Sequence, residues 1–326
     1  MMHGVLVGFG EVASAGHWPA WQATHAARIV AVVDPSEERR QRAEQVIAGV
    51  RTFESIARVD VDVQFADICT PPLWHDAPML QALDRGWHVL CEKPFVLDSS
   101  RIAGIRERAT ARGLAVVPVH NWKYAPILFR STSLLRAGEI GQLRDVEIVT
   151  SRTQAAATAA GAAYNWRTDP NVAGGGILFD HGWHAIYLAL HWFGERPIGV
   201  NANLRRAGGS AVETDVDLVI TFPSGRARIH LTWNGTSRRN AVRLTGDAGT
   251  LYADDDVLRV ESTNSRNEPM AAALSAGSSH ADWFAAMLPD VLAAFAEPAR
   301  SRPMLDEAAQ TLAIIEEAYA QAGVAS

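Results

Sequence analysis

Residues 8 to 13 read Gly8-Phe9-Gly10-Glu11-Val12-Ala13 and come directly after the apolar run Val5-Leu6-Val7. They match G-x-G-x-x-A, in which glycines permit a tight turn and let backbone amides approach a pyrophosphate at a helix N-terminus. A second β-rich run, Ile29 to Val33, ends at Asp34, where an acidic side chain would meet an adenosine ribose. The pattern therefore predicts a dinucleotide-binding β-α-β unit.

The charge of Asp34 bears on the choice of dinucleotide. Its carboxylate would accept hydrogen bonds from the ribose hydroxyls and repel a 2′-phosphate, which favours NAD over NADP. Arg39 and Arg40 leave NADP open, although arginines on the helix after the second strand commonly form a solvated face.

Strand-like and helical stretches alternate over the first third of the chain. The runs Phe65 to Cys69, His88 to Cys91 and Leu114 to Val119 are β-rich. Helical stretches from Trp74 to Arg85 and from about Ser99 to Gly113 separate them. This order predicts an α/β fold whose residues 1–121 form a Rossmann domain with a doubly wound parallel sheet.

After residue 121 a helix-rich section precedes several β-like runs with no helices between them. The runs are Leu204 onward, Asp215 to Phe222, Arg226 to Trp233, Ala241 to Thr245 and Val257 to Val260. Pro223-Ser224-Gly225 reads as a hairpin turn. We therefore expect residues 122–326 to form an α+β substrate-binding and oligomerisation domain with a mainly antiparallel open sheet.

The end of the chain returns to a helical period, with Ala308, Leu312, Ile315 and Tyr319 on one face and Gly323 closing the helix. This last helix is able to pack back on the first domain. The alanine-rich segment 155–163 is predicted to be a mobile loop over the site.

Composition excludes several classes of protein. The 326 residues carry a formal net charge of −6, so nucleic acid and anionic membranes would repel the molecule on average. No apolar stretch is long enough for a membrane span, and Met1-Met2-His3-Gly4 leads straight into a strand without a signal peptide. The two cysteines lie in apolar runs, which predicts neither a disulfide framework nor export. We expect a cytoplasmic protein.

Three further motifs follow the glycine pattern in order. They are Thr70-Pro71-Pro72 with His75, Glu92-Lys93-Pro94, and the run from Gly174 to His184, which fits G-G-G-x-L-x-D-x-G-x-H. With them the chain resembles the glucose-fructose oxidoreductase and inositol dehydrogenase (Gfo/Idh/MocA) family over nearly its whole length. It carries Lys123 where the family more often has arginine.

The resemblance implies which further residues bind the cofactor. Thr70, Pro71 and His75 would border it, Glu92 and Lys93 would lie beside the nicotinamide ribose, and Trp166-Arg167 would reach it from the second domain. With the glycine pattern, the predicted cofactor-binding set is Gly8, Phe9, Gly10, Glu11, Val12, Asp34, Thr70, Pro71, His75, Glu92, Lys93, Trp166 and Arg167.

Catalytic candidates follow from residue chemistry. Asp180 and His184 are four residues apart on a predicted helix, so the carboxylate can orient an imidazole poised for proton exchange. Lys93 follows a parallel strand, where a cation can polarise a substrate oxygen. His120 ends the next strand and would either contact substrate or hydrogen-bond backbone. His181 and His184 beside Asp180 also allow a metal interpretation, but no second ligand cluster supports it, and we predict no metal.

The sequence therefore predicts an NAD(P)-dependent dehydrogenase that transfers a hydride between nicotinamide and a hydroxyl-bearing carbon. The resemblance implies a sugar, sugar derivative or cyclitol as substrate, and a homo-oligomer, dimer or tetramer. One alternative is an enzyme that uses bound NAD as an internal redox catalyst for elimination or glycoside cleavage. A second is a non-catalytic NAD-sensing or scaffold protein.

Overall fold

The computed structural model of the protein describes residues 1–156, 164–277 and 279–323. Most of the alanine-rich segment predicted to be a mobile loop, residues 157–163, lies outside the described residues. The chain divides into two compact units. The first contains residues 1–121 and 279–309, and the second contains residues 122–278 and 310–326.

The strands and helices follow in chain order as β1 (Met2–Val7), α1 (Trp18–Ala23), β2 (Ala27–Val33), α2 (Glu37–Val46), β3 (Arg51–Phe53), β4 (Phe65–Ile68), α3 (Asp76–Asp84), β5 (His88–Cys91), α4 (Ser100–Ala111), β6 (Val116–Pro118), α5 (Pro126–Arg136), β7 (Leu143–Ser151), α6 (Pro170–Ala173), α7 (Trp183–Phe193), β8 (Gly199–Arg205), β9 (Asp215–Phe222), β10 (Gly225–Thr232), β11 (Arg239–Gly246), β12 (Thr250–Asp254), β13 (Val257–Glu261), β14 (Arg266–Pro269), α8 (Ala281–Ala296) and α9 (Ser301–Gln321). Turns of π-helix cover Ala13–His17 before α1 and Leu178–Gly182 before α7.

The first unit contains the predicted parallel sheet, in the order β3-β2-β1-β4-β5-β6 within the described residues. Its register aligns Val7 of β1 with Ile68 of β4, Ile68 with Cys91 of β5, and Cys91 with Pro118 of β6. Since the strands are parallel, the segments that follow these four residues leave the sheet at one edge. Those segments carry the glycine pattern, Thr70, Glu92-Lys93 and His120.

The second unit contains a mainly antiparallel sheet, in the order β14-β13-β12-β11-β7-β10-β9-β8 in the described part of the chain. Residues buried on β9 and β10 alternate with more exposed ones, as expected of a sheet with one apolar face. Helix α7, buried from Trp183 to Leu190, packs against this sheet at β7. The parallel Rossmann sheet and the mainly antiparallel second sheet confirm the predicted fold class.

Some predicted elements were wrong in detail. The strand expected to begin at Leu204 is β8, which begins at Gly199 and ends at Arg205. It is an edge strand with several polar residues, so its sequence lacks a clear apolar pattern. Strand β7 lies in the region expected to be helix-rich. It was missed because Arg144, Asp145 and Glu147 interrupt its apolar pattern. The short strands β3, β12 and β14 were missed as well.

Two smaller predictions hold. Phe222 pairs with Gly225, so Pro223 and Ser224 form a two-residue hairpin turn. Ala308, Leu312, Ile315 and Tyr319 on α9 are all buried. Among the described residues, no helix is both long and apolar enough to cross a membrane.

Candidate active site

The glycine turn has the backbone that a pyrophosphate site needs. Gly8 has a φ of +87°, and a Cβ there would lie 3.1 Å from the backbone of Cys69 and Thr70, so only glycine fits. The space around Gly10 is open within 4 Å. The Ser14 amide donates to the Gly10 carbonyl, which marks the first turn of the helix. The amides of residues 11–13 belong to this first turn, where backbone amides lack a carbonyl acceptor in a preceding turn. This cradle fits the pyrophosphate of a dinucleotide.

The other residues of the glycine pattern differ in exposure. Glu11 is exposed and Val12 is half-buried, while the Phe9 side chain is fully buried in the core. The Phe9 amide donates to Oδ2 of Asp34 at 2.8 Å. Phe9 therefore links the turn to the end of β2.

Asp34 is engaged by the protein itself. It is 1% exposed, and its Oδ1 accepts from the Ser36 amide at 2.9 Å. Arg39 lies 3.7 Å from Oδ2, and Arg40 donates to the Asp34 and Pro35 carbonyls at 2.7 and 2.9 Å. The arginines therefore fold over the end of β2, where Arg39 is exposed and Arg40 is half-buried on α2.

The segment after β4 is held by His75, which is fully buried. Its two ring nitrogens lie 2.7 Å from the Thr70 carbonyl and 3.1 Å from the Phe95 carbonyl. Burial lowers the pKa of His75. The Thr70 hydroxyl donates to the Trp74 carbonyl at 3.0 Å, and Pro71 precedes the 3₁₀ turn Pro72–Trp74. His75 thus shapes the loop that Thr70 and Pro71 occupy.

The segment after β5 carries Glu92 and Lys93. Oε2 of Glu92 accepts from the Lys93 amide at 2.9 Å, and Oε1 lies 2.8 Å from Nε2 of His17. On the other side of its ring, His17 binds Asp67, whose Oδ2 also accepts from the Trp21 indole at 2.7 Å. The sequence analysis did not single out His17 or Asp67.

His120, at the end of β6, is 4% exposed. Its Nδ1 lies 2.7 Å from Oε1 of Glu307 on α9, a carboxylate contact that neither predicted role included.

In the second unit, the predicted catalytic motif is anchored by a buried carboxylate. Glu213 accepts from the amides of Gly176 and Leu178 at 2.9 Å and from the Tyr319 hydroxyl at 2.7 Å. A Cβ on Gly176 would lie 2.0 Å from the Glu213 carbonyl oxygen, which explains the glycine there. Burial raises the pKa of Glu213. Nothing in the sequence near the motif pointed to Glu213.

His184 is 6% exposed and stacks on Trp122 with ring centroids 4.6 Å apart. Its Nδ1 lies 2.9 Å from the Tyr187 hydroxyl, which also accepts from the Trp122 amide at 3.0 Å. The Lys123 ammonium lies 5.6 Å from the centre of the Tyr187 ring. Tyr187 is three residues after His184, and this helical spacing could have identified it.

Asp180 lies 3.1 Å from Nδ1 of His181. It is also close enough to the guanidinium groups of Arg152 and Arg238 to act on them electrostatically. Trp166 and Arg167 form a short 3₁₀ turn, in which the Arg167 guanidinium lies 4.4 Å from the centre of the Trp166 ring.

Comparison with known proteins identifies the class. Residues 2–120 match the oxidoreductase family with an NAD-binding Rossmann fold, and residues 130–252 match the GFO/IDH/MocA C-terminal domain. With the glycine cradle, these matches define an NAD(P)-dependent oxidoreductase. The chain belongs to the GFO/IDH/MocA oxidoreductase family, which confirms the resemblance read from its motifs and the predicted cofactor.

Among its relatives, Oxidoreductase P35 of Formosa agariphila is 27% identical, with 76% of this chain and 77% of that protein aligned. Levoglucosan dehydrogenase of Pseudarthrobacter phenanthrenivorans is 23% identical over 62% of this chain and 58% of its own. A structure of levoglucosan dehydrogenase with NADH and L-sorbose superimposes with a TM-score of 0.85 at 20% identity, covering 99% of this chain and 96% of the other.

The anchoring role of Glu213 predicts a stability change. Glu213→Ala leaves two buried amides without their acceptor and should lower the free energy of unfolding by about 1–3 kcal/mol per unpaired group. Tyr319→Phe, which removes only a donor hydroxyl, should cost about 1 kcal/mol. Urea denaturation followed by circular dichroism measures both, and equal losses in the two variants would contradict the assignment.

Proposed function

We propose that the protein catalyses reversible hydride transfer between a bound nicotinamide and the hydroxyl-bearing carbon of a sugar, sugar derivative or cyclitol. The observation that carries the proposal is the position of Lys93, which follows β5 at the same sheet edge as the glycine cradle. The relative that acts on levoglucosan, and its structure with L-sorbose, support a polyol substrate.

When bound, the nicotinamide supplies the hydride acceptor or donor. We assign Lys93 to the substrate oxygen, where an ammonium donates a hydrogen bond and stabilises developing negative charge. We assign His184 to proton exchange with the substrate hydroxyl. Nδ1 of His184 lies 2.9 Å from the Tyr187 hydroxyl, a contact that orients the ring for this exchange. Asp180 belongs to the same motif as His184, and its carboxylate contributes negative charge beside that motif. His120 is assigned to substrate contact.

The remaining cofactor contacts keep their expected roles in this proposal. The amides after Gly10 would bind the pyrophosphate, and Asp34 the adenosine ribose. Thr70 and Pro71 would border the cofactor, Glu92 would lie beside the nicotinamide ribose, and Trp166 and Arg167 would reach the cofactor.

Substitution of the two proposed catalytic groups tests this function. Lys93→Met and His184→Ala should each lower turnover by about a hundredfold or more, the scale of a lost acid/base or charge-stabilising group, with far smaller changes in NAD affinity. A fluorescence screen for NADH formation over a sugar and cyclitol panel first identifies the substrate. The exposed imidazole of His230, paired with Asp217 on the sheet, gives the control His230→Ala, which should keep normal turnover.

Near-normal turnover in His184→Ala would move proton transfer to another group. Substrate consumption without net NADH formation would favour the internal redox alternative. NAD binding without turnover of any tested substrate would favour the sensor alternative.

Cofactor choice gives a separate prediction. NAD should bind about tenfold or more tightly than NADP, because the Asp34 carboxylate would face the 2′-phosphate. Asp34→Asn removes the charge and keeps an acceptor for the Phe9 amide but loses the acceptor for the Ser36 amide, so it should narrow this difference at some cost in stability. Titration of both cofactors against tryptophan fluorescence measures it. A preference for NADP would assign the 2′-phosphate to Arg39 and Arg40.

We also propose that the second sheet mediates a homo-oligomer. Strands β7 and β10 present Asp145, Glu147, Arg226 and Arg228, which form cross-strand ion pairs on the polar face. A two-fold contact brings such a mixed-charge patch against itself, where opposite charges can pair. Light scattering should therefore show a dimer or tetramer that Arg228→Glu weakens, and a monomer at all concentrations would refute the interface.

A further inference from the structure

The His17 ring is held on both edges by carboxylates. His17 lies in the π-helical turn before α1 and is 2% exposed. Nδ1 lies 2.9 Å from Oδ2 of Asp67 in β4, and Nε2 lies 2.8 Å from Oε1 of Glu92 after β5. The ring of Phe284 on α8 stacks on it at 3.9 Å. One imidazole therefore joins the cofactor-binding helix to two strand ends.

Two carboxylate partners require both ring nitrogens to carry a proton. Burial by itself lowers the pKa of His17. The charge of Asp67 and its hydrogen bond act in the opposite direction, and the net result is a pKa well above the ordinary value. Burial alone would raise the pKa of Glu92, but the hydrogen bond and charge of His17 hold it below its ordinary value. At neutral pH an imidazolium thus holds an ionised Glu92.

Cys69 completes the surroundings of the ring, with its sulfur 3.3 Å from Nδ1. Ligand atoms of His17, Asp67 and Cys69 lie within 4.8 Å of one another, a spacing that a cation could use. Burial, followed by the charge of Asp67, raises the pKa of Cys69 to about 12. Nδ1 bonds to Asp67 with the thiol beside it, so the three groups form a hydrogen-bonded network.

We propose that His17 is a positioning residue for the Glu92-Lys93 segment, which it fixes through the Glu92 carboxylate while Asp67 fixes the ring. The inference rests on the proposed function, because that function places Glu92 and Lys93 at the nicotinamide end. Glu92 binds the Lys93 amide through its other oxygen. Release of the carboxylate therefore frees the backbone from which the Lys93 side chain extends.

The two ends of the ring can be tested separately. An asparagine amide reaches the place of Nδ1, so His17→Asn keeps a donor to Asp67 and loses the contact with Glu92. A glutamine amide reaches the place of Nε2, so His17→Gln keeps the donor to Glu92 and loses Asp67. We expect His17→Asn to weaken NAD binding and lower turnover by about tenfold each, while His17→Gln stays within about threefold of wild type.

Trp21→Phe provides the matched control. It removes a hydrogen bond from the same cluster at Asp67, on the side away from Glu92. It should lower the melting temperature and leave cofactor affinity and turnover unchanged. Equal losses of affinity and turnover in His17→Asn, His17→Gln and Trp21→Phe would show a purely structural role and overturn the proposal.

A pH series separates positioning from packing. The groups that face the ring are Asp67, Cys69 and Glu92, while α1 and α8 present the uncharged Trp21 and Phe284. Without the imidazolium, the pKa of Glu92 rises and its carboxylate takes up a proton as the pH falls. His17→Asn should therefore bind NAD progressively less tightly from about pH 7 to 5, where wild type stays flat. A flat profile in His17→Asn would contradict the proposal.

Nitrogen-15 NMR of the histidine rings tests the network without turnover. Both nitrogens of His17 should be protonated at pH 7 in the intact protein. Glu92→Gln should lower the pKa of the His17 imidazole. A neutral His17, or a pKa unaffected by Glu92→Gln, would overturn the proposal even if every His17 variant failed to fold. If the NMR result holds but no polyol is turned over, the proposed function fails and the His17 contact stands.

Discussion

The parallel register of β1, β4, β5 and β6 is the constraint on which the first unit depends. Because Val7, Ile68, Cys91 and Pro118 are aligned across the sheet, four segments distant in sequence leave it at the same edge. These strands are buried on both faces, so a shift of one residue would exchange the side chains packed above and below the sheet, and close packing on both faces fixes the register. The glycine turn and Glu92-Lys93 lie at the same edge, with the segment after β4 between them, because the strands beneath them are packed in this order.

Buried carboxylates fix backbone segments in each of the two units. His17 binds Asp67 and Glu92 with both ring nitrogens, and in the second unit Glu213 binds two backbone amides and a hydroxyl. A buried ionised group is costly unless it is paired, and removal of one partner leaves the other without compensation. Such groups therefore tolerate few alternative geometries, and the backbone segments bonded to them are held in place.

Motif residues and their supporting residues differ in how visible they are in the sequence. Lys93, Asp180 and His184 lie in short patterns with fixed spacing, and Tyr187 follows His184 at a helical interval. Asp67 lies inside an apolar strand, His17 lies beyond the glycine pattern, and Glu213 is 37 residues from Gly176. Their partners are set by strand order and loop closure, which local spacing does not encode. Strand β7 was also missed, because charged residues on its exposed face alternate with the apolar residues on its buried face.

The sequence by itself determined the Rossmann domain, the class of cofactor and the family, because glycine turns, strand periods and short motifs are local features that residue type alone dictates. Only the tertiary structure decided that Asp34 holds the Phe9 and Ser36 amides, that Arg40 folds over the end of β2 and that His17 binds Glu92. These contacts depend on which groups become buried together. Burial makes an unpaired polar group costly and so selects its partner.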